Sequence, residues 1–179
     1  MWHYDGIVAE KENTANYWAP SVIKYDGMYY MYVSFDTNGE FQEYMHVLSS
    51  ATPMGPFENP VQLYDEFSID SHVVKTDEGL FLWYAKNNYK TDRIGTRVCI
   101  DKLLDPYTPA KNPVDKIVPT FDEEIFTPQC TDEYNWHTVE GPFWFKEDGW
   151  QYVMYSGGCF LDDTYHIGYS CAKTDEEDL

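Results

Sequence analysis

Residues 21–34 read Ser-Val-Ile-Lys-Tyr-Asp-Gly-Met-Tyr-Tyr-Met-Tyr-Val-Ser, and this segment is the clearest indication of the fold. It begins with a short apolar segment and ends with a second segment that is rich in aromatic residues. Between them lies a turn that contains a Lys, an acidic residue and a Gly. The same pattern recurs at 72–85 and at 142–156. Because glycine supplies the positive φ that a tight turn needs, each copy predicts a β-hairpin.

A further strand-like segment follows each hairpin. The turn glycines Gly27, Gly79 and Gly149 are 52 and then 70 residues apart. Small antiparallel sheets that repeat at roughly this period are typical of propeller blades. Periodicity of 3.6 residues, the mark of amphipathic helices, is hard to find in the chain.

We therefore predict an all-β chain that forms a single partial β-propeller domain over residues 1–179. Its blade-like units are predicted at about 18–63, 68–104 and 138–174. Four prolines between 101 and 119 predict a crossing loop between blades. Three blades do not close a ring, since propellers have at least about four, so we expect a fragment or part of a larger assembly.

Composition excludes several functions. Lys and Arg number 12 against 31 Asp and Glu, a net charge of -19, which disfavours nucleic acid and anionic membrane surfaces. The hydrophobic fraction of 43% excludes wholesale disorder, and the aromatic fraction of 18% favours stacking on flat apolar ligands such as sugar faces. No apolar run approaches a membrane span and no signal peptide is visible. Cytoplasm is the default localisation, and secretion applies if an N-terminal signal is missing.

The cysteines show no metal-binding pattern. Cys99, Cys130, Cys159 and Cys171 lack a CxxC spacing, so zinc is not supported and we interpret them as thiols, most of them buried. A bridge between Cys159 and Cys171 across a hairpin stays open as an alternative. No calcium-binding loop of spaced aspartates occurs either. We predict no cofactor and no metal site.

Candidate functional residues precede the innermost strand of each unit, because that strand starts at the central channel of a propeller. They lie in Trp18-Ala19-Pro20, in Ser68-Ile69-Asp70-Ser71-His72 and in Val139-Glu140-Gly141-Pro142. We expect these three segments to face one shared pocket.

These segments, in this order, resemble glycoside hydrolase family 43, and the linker at 49–58 is similar to the family's inter-blade segment. The resemblance covers nearly the whole chain. It implies a five-bladed propeller that cleaves arabinose- and xylose-containing glycans, as arabinofuranosidases and xylosidases do. It further implies that Glu140 is the general acid, that Asp70 raises the pKa of this acid and orients it, and that Trp18 stacks on the sugar.

The family's general base, an aspartate near the start of the first blade, has no match that we identify. Residues 1–10 resemble the outer part of that blade, and Asp5 is not a credible substitute. The blade on which the family's calcium relies is also not found, and the acidic residues at 175–179 are interpreted as a solvated end.

Elementary chemistry agrees with a carboxyl pair. Hydrolysis with inversion needs a protonated carboxyl and an ionised carboxylate roughly 6.5–9.5 Å apart. A glutamate ionises near ~4.3, but a neighbouring carboxylate and partial desolvation raise its pKa toward neutrality. Asp70 and Glu140 are candidates for such a pair. Without a base to activate water, we expect this chain alone to be inactive or weak.

Four other residues are weaker candidates for substrate binding. His72, two residues after Asp70, could contact substrate, although a structural histidine is the simpler interpretation. Trp136 and His137 precede Glu140 and could form a subsite wall or an ordinary loop. Cys159 lies where the family often has a small polar residue, although a buried thiol is the simpler interpretation. Phe143 stands where many members have a polar or different aromatic residue.

Other functions remain open. The chain could be a non-catalytic carbohydrate-binding propeller fragment, or a related propeller glycosidase or phosphorylase. The expected partner is an oligo- or polysaccharide. Open blade edges expose unpaired strands and apolar faces, so a homo-oligomer that covers them is a further expectation.

Overall fold

The computed structural model describes residues 6–7, 9, 15–36 and 42–174. These residues form three antiparallel sheets, which confirms the all-β prediction. No helix in the described ranges is long and apolar enough to cross a membrane. The expected outer strand at 1–10 lies mostly outside the described residues, Asp5 included, and the acidic end at 175–179 lies wholly outside them.

Sheet 1 consists of four strands in the order of the chain, each paired with the next. They are β1 (Ala15–Tyr25), β2 (Met28–Asp36), β3 (Tyr44–Ser50) and β4 (Glu58–Gln62). The turn between β1 and β2 has φ of 45° at Asp26 and 81° at Gly27. Two consecutive positive φ values are those of a type I′ turn, which matches the twist of the flanking strands.

Sheet 2 has five strands, and β9 returns to pair with β7 beside β8. They are β5 (Ser68–Thr76), β6 (Gly79–Asn88), β7 (Gly95–Asp105), β8 (Thr108–Pro109) and β9 (Val114–Ile117). The prediction of a plain loop over 101–119 is therefore wrong. The buried Asp101 carboxylate accepts hydrogen bonds from the backbone N–H groups of Lys111 (3.0 Å) and Asn112 (3.2 Å), and these bonds fold the proline-rich segment back onto β7.

Sheet 3 has three strands, β10 (Val139–Glu147), β11 (Trp150–Gly157) and β12 (His166–Lys173). Its hairpin turn repeats the first, with φ of 49° at Asp148 and 79° at Gly149. The edge strand β12 exposes Ile167 and Tyr169, which keep 75% and 66% of their surface accessible. The expected homo-oligomer stays a prediction.

Two apolar clusters hold the sheets side by side. The first joins sheets 1 and 2, where Tyr32 and Val47 pack with Leu82 and Tyr84. The second joins sheets 2 and 3, where Trp83 and other side chains of sheet 2 pack with side chains of β10 and β11. Each sheet alternates its side chains between faces, so the middle sheet contributes to both clusters.

The segment from Phe121 to Thr138 connects sheets 2 and 3 and contains two short 3-10 turns, at Asp122–Glu124 and Thr127–Gln129. Gly95 at the start of β7 forms a parallel bridge with His137 of this segment. The Thr96 N–H donates to the His137 carbonyl at 2.9 Å, and the His137 N–H donates to the Ile94 carbonyl at 2.8 Å. The segment is thereby fixed against sheet 2.

Substitution of Gly95 by Ala tests this attachment. Gly95 has φ of +147°, and an added Cβ would fall inside the van der Waals radius of the His137 carbonyl oxygen. We expect Gly95→Ala to lower the free energy of unfolding by about 2–4 kcal/mol in chemical denaturation. The control Gly27→Ala also has a positive φ, of +81°, but nothing lies within 4 Å of its added Cβ, and we expect a cost of about 1 kcal/mol. Equal losses would show that the close approach at Gly95 is unimportant.

Candidate functional site

A cavity of about 640 Å³ opens where the innermost strands of the three sheets begin. Trp18 of β1, Ile69 of β5 and Glu140 of β10 all line it, as the sequence predicts for strand starts around a shared channel. The rest of the wall comes from Phe67 before β5, from residues before or within the strands that follow the innermost ones, and from the segment before β10. It consists of Gln42, Glu43, Phe67, Asn87, Tyr89, Thr96, Phe126, Pro128, Gln129, Cys130, Thr131, Tyr134, Trp136, Thr138 and Phe160.

The same backbone irregularity recurs at the start of all three innermost strands. Pairing with the second strand slips after Trp18, after Ile69 and after Glu140. The next residue has a positive φ in each case: 44° at Ala19, 59° at Asp70 and 63° at Gly141. Such bulges re-aim side chains and are frequent beside functional sites. The bulges give Trp18, Ile69 and Glu140 equivalent places in the cavity wall.

Sheet 1 holds the Asp70 bulge in place. The Ser68 hydroxyl oxygen accepts a hydrogen bond from the Met45 N–H at 2.9 Å, and the Ser71 hydroxyl donates to the Tyr32 carbonyl at 3.0 Å. The serines on either side of Asp70 are thus occupied with sheet 1. Aspartate tolerates the left-handed conformation better than most residues, which suits it to this position.

Asp70 reaches sheet 3 through its side chain. Its Oδ2 accepts a hydrogen bond from the Gly141 N–H at 2.9 Å, directly after Glu140. The structure therefore brings Asp70 and Glu140 together at the boundary between sheets 2 and 3. Burial raises the pKa of Asp70 above its ordinary value, and the hydrogen bond from Gly141 opposes this by stabilising the carboxylate.

Glu140 experiences three influences on its proton affinity. Burial raises its pKa most, the neighbouring Asp70 carboxylate raises it further, and a hydrogen bond from Tyr165 lowers it. The result is a pKa of about 7. The Tyr165 hydroxyl donates to Glu140 Oε1 at 3.1 Å. Near neutral pH Glu140 is therefore present in both protonated and ionised forms, as a general acid requires.

Two tryptophans predicted as substrate contacts lie in the cavity wall. Trp18 is 43% exposed and presents its indole to the opening. Trp136 is only 6% exposed, and its ring lies 5.4 Å from that of Tyr89 and 6.5 Å from that of Tyr134. These rings give one side of the cavity an aromatic character that suits the apolar face of a sugar.

The structure does not bring His72 to the cavity. Its Nε2 lies 3.0 Å from the Trp144 carbonyl, and its ring packs against Phe143 at 4.6 Å between centroids. Burial lowers the pKa of His72, which keeps the ring neutral and able to donate to that carbonyl. These contacts place His72 in the packing between sheets 2 and 3, as the structural interpretation of this residue requires.

Cys159 is also absent from the cavity wall among the described residues. It is buried in the connection between β11 and β12, where its N–H donates to the Thr164 hydroxyl at 3.1 Å. All four cysteines are free thiols, so Cys159 and Cys171 are not bridged. Two of the four, Cys99 and Cys159, are buried.

His137 anchors the segment before β10. Its Nε2 accepts from the Arg93 guanidinium at 2.9 Å, since arginine can only donate, and its Nδ1 therefore donates to the Ile94 carbonyl at 3.2 Å. This histidine is satisfied by the protein itself. Within the described ranges, no group of three or more His, Cys, Asp or Glu side chains could hold a metal ion.

Sequence reasoning missed Tyr165 and Glu43. Both directly precede the third strand of their sheet, and the connections at these strand ends reach the same rim as the innermost strands. Glu43 is 1% exposed, and its carboxylate accepts no hydrogen bond from any other described residue. Burial raises the pKa of Glu43. Inspecting the residues before every third strand would have found both.

Replacement of Asp70 by Asn tests the electrostatic link across the two sheets. Asparagine keeps the size of the side chain and an oxygen that can accept from Gly141, but it removes the charge. We expect the pKa of Glu140 to fall from about 7 to about 6 or lower, measured by carboxyl ¹³C NMR titration with Glu140→Gln as the assignment. Asp77→Asn, in an exposed turn of the same sheet, is the control. An unchanged Glu140 titration in Asp70→Asn would contradict the link.

Comparison with solved structures extends the fold assignment. A thermostable family-43 glycoside hydrolase matches 88% of this chain with 29% identity and a TM-score of 0.72. An α-L-arabinofuranosidase from Lactobacillus brevis matches 91% with 21% identity and a TM-score of 0.74. An endo-1,4-β-xylanase from Bacteroides thetaiotaomicron matches 97% with 22% identity and a TM-score of 0.74.

The matched region is only part of each of these proteins. The chain spans 51%, 51% and 57% of their lengths, so its three sheets correspond to about half of the family's five-bladed propeller. No curated protein shows significant similarity to the chain. The family model for glycosyl hydrolases family 43 matches residues 3–177. With nearly the whole sequence matched and the propeller sheets in place, the chain belongs to glycosyl hydrolases family 43.

Proposed function

We propose that this chain carries the general acid of a glycoside hydrolase. The enzyme cleaves arabinosyl or xylosyl linkages of plant-type glycans with inversion of configuration. The observation that carries the proposal is that Glu140, which lines the cavity, has the Asp70 carboxylate beside it: Asp70 accepts from the next backbone N–H, that of Gly141, and its charge adds to the burial that raises the pKa of Glu140 to about 7. Family membership supports glycosidase chemistry.

The proposed roles of the two carboxyl groups differ. Protonated Glu140 donates to the glycosidic oxygen as the bond to the anomeric carbon breaks, so the leaving group departs as a neutral alcohol. Asp70 is committed to the Gly141 N–H and acts through its charge, which keeps the proton on Glu140 until the substrate is bound. This electrostatic effect of Asp70 keeps Glu140 protonated, and therefore able to act as an acid, at neutral pH.

Water activation needs a second ionised carboxylate on the opposite face of the sugar. We identify no counterpart of the family's general base in this sequence. The chain alone is therefore expected to hydrolyse slowly, and the full activity is proposed for the protein that combines these three sheets with the base.

Substrate binding is assigned to the cavity wall. Trp18 and Tyr89, which are 43% and 61% exposed, offer aromatic surface for the ring of a pentose, and the buried Trp136 packs against Tyr89. Gln42, Asn87 and Thr138 offer polar groups for the hydroxyls of the pentose. The arabinofuranosidase and the xylanase among the matched structures support a pentose-containing oligo- or polysaccharide as the substrate.

A second candidate function is carbohydrate binding without cleavage, which the unidentified base favours. Titration of the chain with arabinose and xylose oligomers, followed by product analysis over days, separates the two functions. Binding with no product supports the binding module, and release of sugar with inverted anomeric configuration supports the hydrolase.

Glu140→Ala tests the acid role. A departing alcohol of high pKa needs a proton, whereas an activated phenol leaves without one. We expect hydrolysis of a poor aryl glycoside to fall about 10²–10⁴-fold and that of a dinitrophenyl glycoside to fall far less. Glu147→Ala, at an exposed position of the same strand, is the matched control. Equal losses on both substrates would rule out Glu140 as the acid.

A further inference from the structure

Neither the family resemblance nor any sequence motif gives Tyr165 a role. It directly precedes β12, whose first residue His166 pairs with Gly157 of β11. The preceding residue of β11, Ser156, pairs in turn with Glu140 of β10. The side chain of Tyr165 thus reaches from the third strand of sheet 3 across the second strand to a carboxyl on the first.

The Tyr165 hydroxyl has one carboxylate partner and a hydroxyl neighbour. It donates to Glu140 Oε1 at 3.1 Å, and the nearby Ser156 hydroxyl lowers the pKa of Tyr165. Burial raises the pKa of Tyr165, and the negative charges of Glu140 and Asp70 raise it further, although the Ser156 contact opposes this. The hydroxyl therefore keeps its proton and remains a donor at neutral pH.

We propose that Tyr165 is a positioning residue for Glu140: its hydroxyl fixes Oε1 as an acceptor, so that Oε2 carries the proton that is transferred. This inference rests on the proposed function and deepens it. The proton passes from Glu140 Oε2 to the glycosidic oxygen, which takes the electron pair of the breaking bond. Tyr165 keeps its own proton throughout.

Negative charge develops on Glu140 as its proton is transferred. A hydrogen bond to an ionised acceptor is roughly twice as strong as one between neutral groups. The contact from Tyr165 therefore strengthens while the proton leaves, and such a differential interaction accelerates the step. Asp70 and Tyr165 act in opposite directions on the pKa of Glu140, since Asp70 raises it and Tyr165 lowers it.

Tyr165→Phe provides the test, because phenylalanine keeps the ring and removes the donor. We expect the pKa of Glu140 to rise by about 0.5–1 in carboxyl ¹³C NMR titration of the full chain. Where hydrolysis is measurable, we expect kcat to fall about tenfold with little change in KM, and the alkaline limb of the pH profile to move upward.

Tyr169→Phe is the matched control, since this tyrosine lies four residues along β12 and is 66% exposed. We expect it to leave the Glu140 titration unchanged. Ser156→Ala is the second variant, because it weakens the donor without removing it, and we expect a smaller upward shift. If Tyr165→Phe does not fold, Ser156→Ala decides the question alone.

The outcomes separate the two claims. If Glu140 titrates near 7 in the unaltered chain and neither Tyr165→Phe nor Ser156→Ala moves it more than Tyr169→Phe does, the positioning role is wrong and the proposed function stands. If Glu140 titrates near its ordinary value in the unaltered chain, the proposed function fails and the inference about Tyr165 fails with it.

Discussion

The hydrogen bond from the Gly141 N–H to the Asp70 carboxylate is the contact on which the site depends. It joins sheet 2 to sheet 3 at the cavity and fixes the backbone directly beside Glu140. Both partners are in the left-handed conformation, with φ of 59° and 63°. Because Ser68 and Ser71 tie the Asp70 bulge to sheet 1, all three sheets contribute to this single contact.

The pKa of Glu140 is set by opposing influences. Burial and the Asp70 charge favour the protonated form of Glu140, and the Tyr165 hydroxyl favours the ionised form. The Asp70 charge comes from β5 and the Tyr165 hydroxyl from the residue before β12, so the pKa of Glu140 reports how these two elements are arranged around β10. The same bulge in sheet 1 carries Trp18 and Ala19, which hold no charge. The same bulge geometry thus presents the aromatic surface of Trp18 from sheet 1 and the acid Glu140 from sheet 3.

Local sequence patterns predicted the hairpins because turn chemistry is local: an Asp-Gly pair specifies the turns of sheets 1 and 3. Position at the start of an innermost strand also predicted that Asp70 and Glu140 converge.

The pattern did not predict β8 and β9, because the bonds that fold 101–119 onto β7 come from Asp101, which lies outside any turn motif. It offered His72 as a weaker candidate for substrate binding, whereas the His72 ring packs against Phe143 and its Nε2 lies 3.0 Å from the Trp144 carbonyl. Tyr165 and Glu43 were missed because only innermost strands were considered, although the approach to each third strand reaches the same rim.

The most direct test of this account is the NMR signal of the Gly141 amide proton. The account predicts a downfield amide, slow to exchange with solvent, whose chemical shift titrates with the Asp70 carboxylate and loses that titration in Asp70→Asn. An amide at Gly141 that exchanges freely and does not respond to pH would contradict it, since the two sheets would then not meet at this carboxylate.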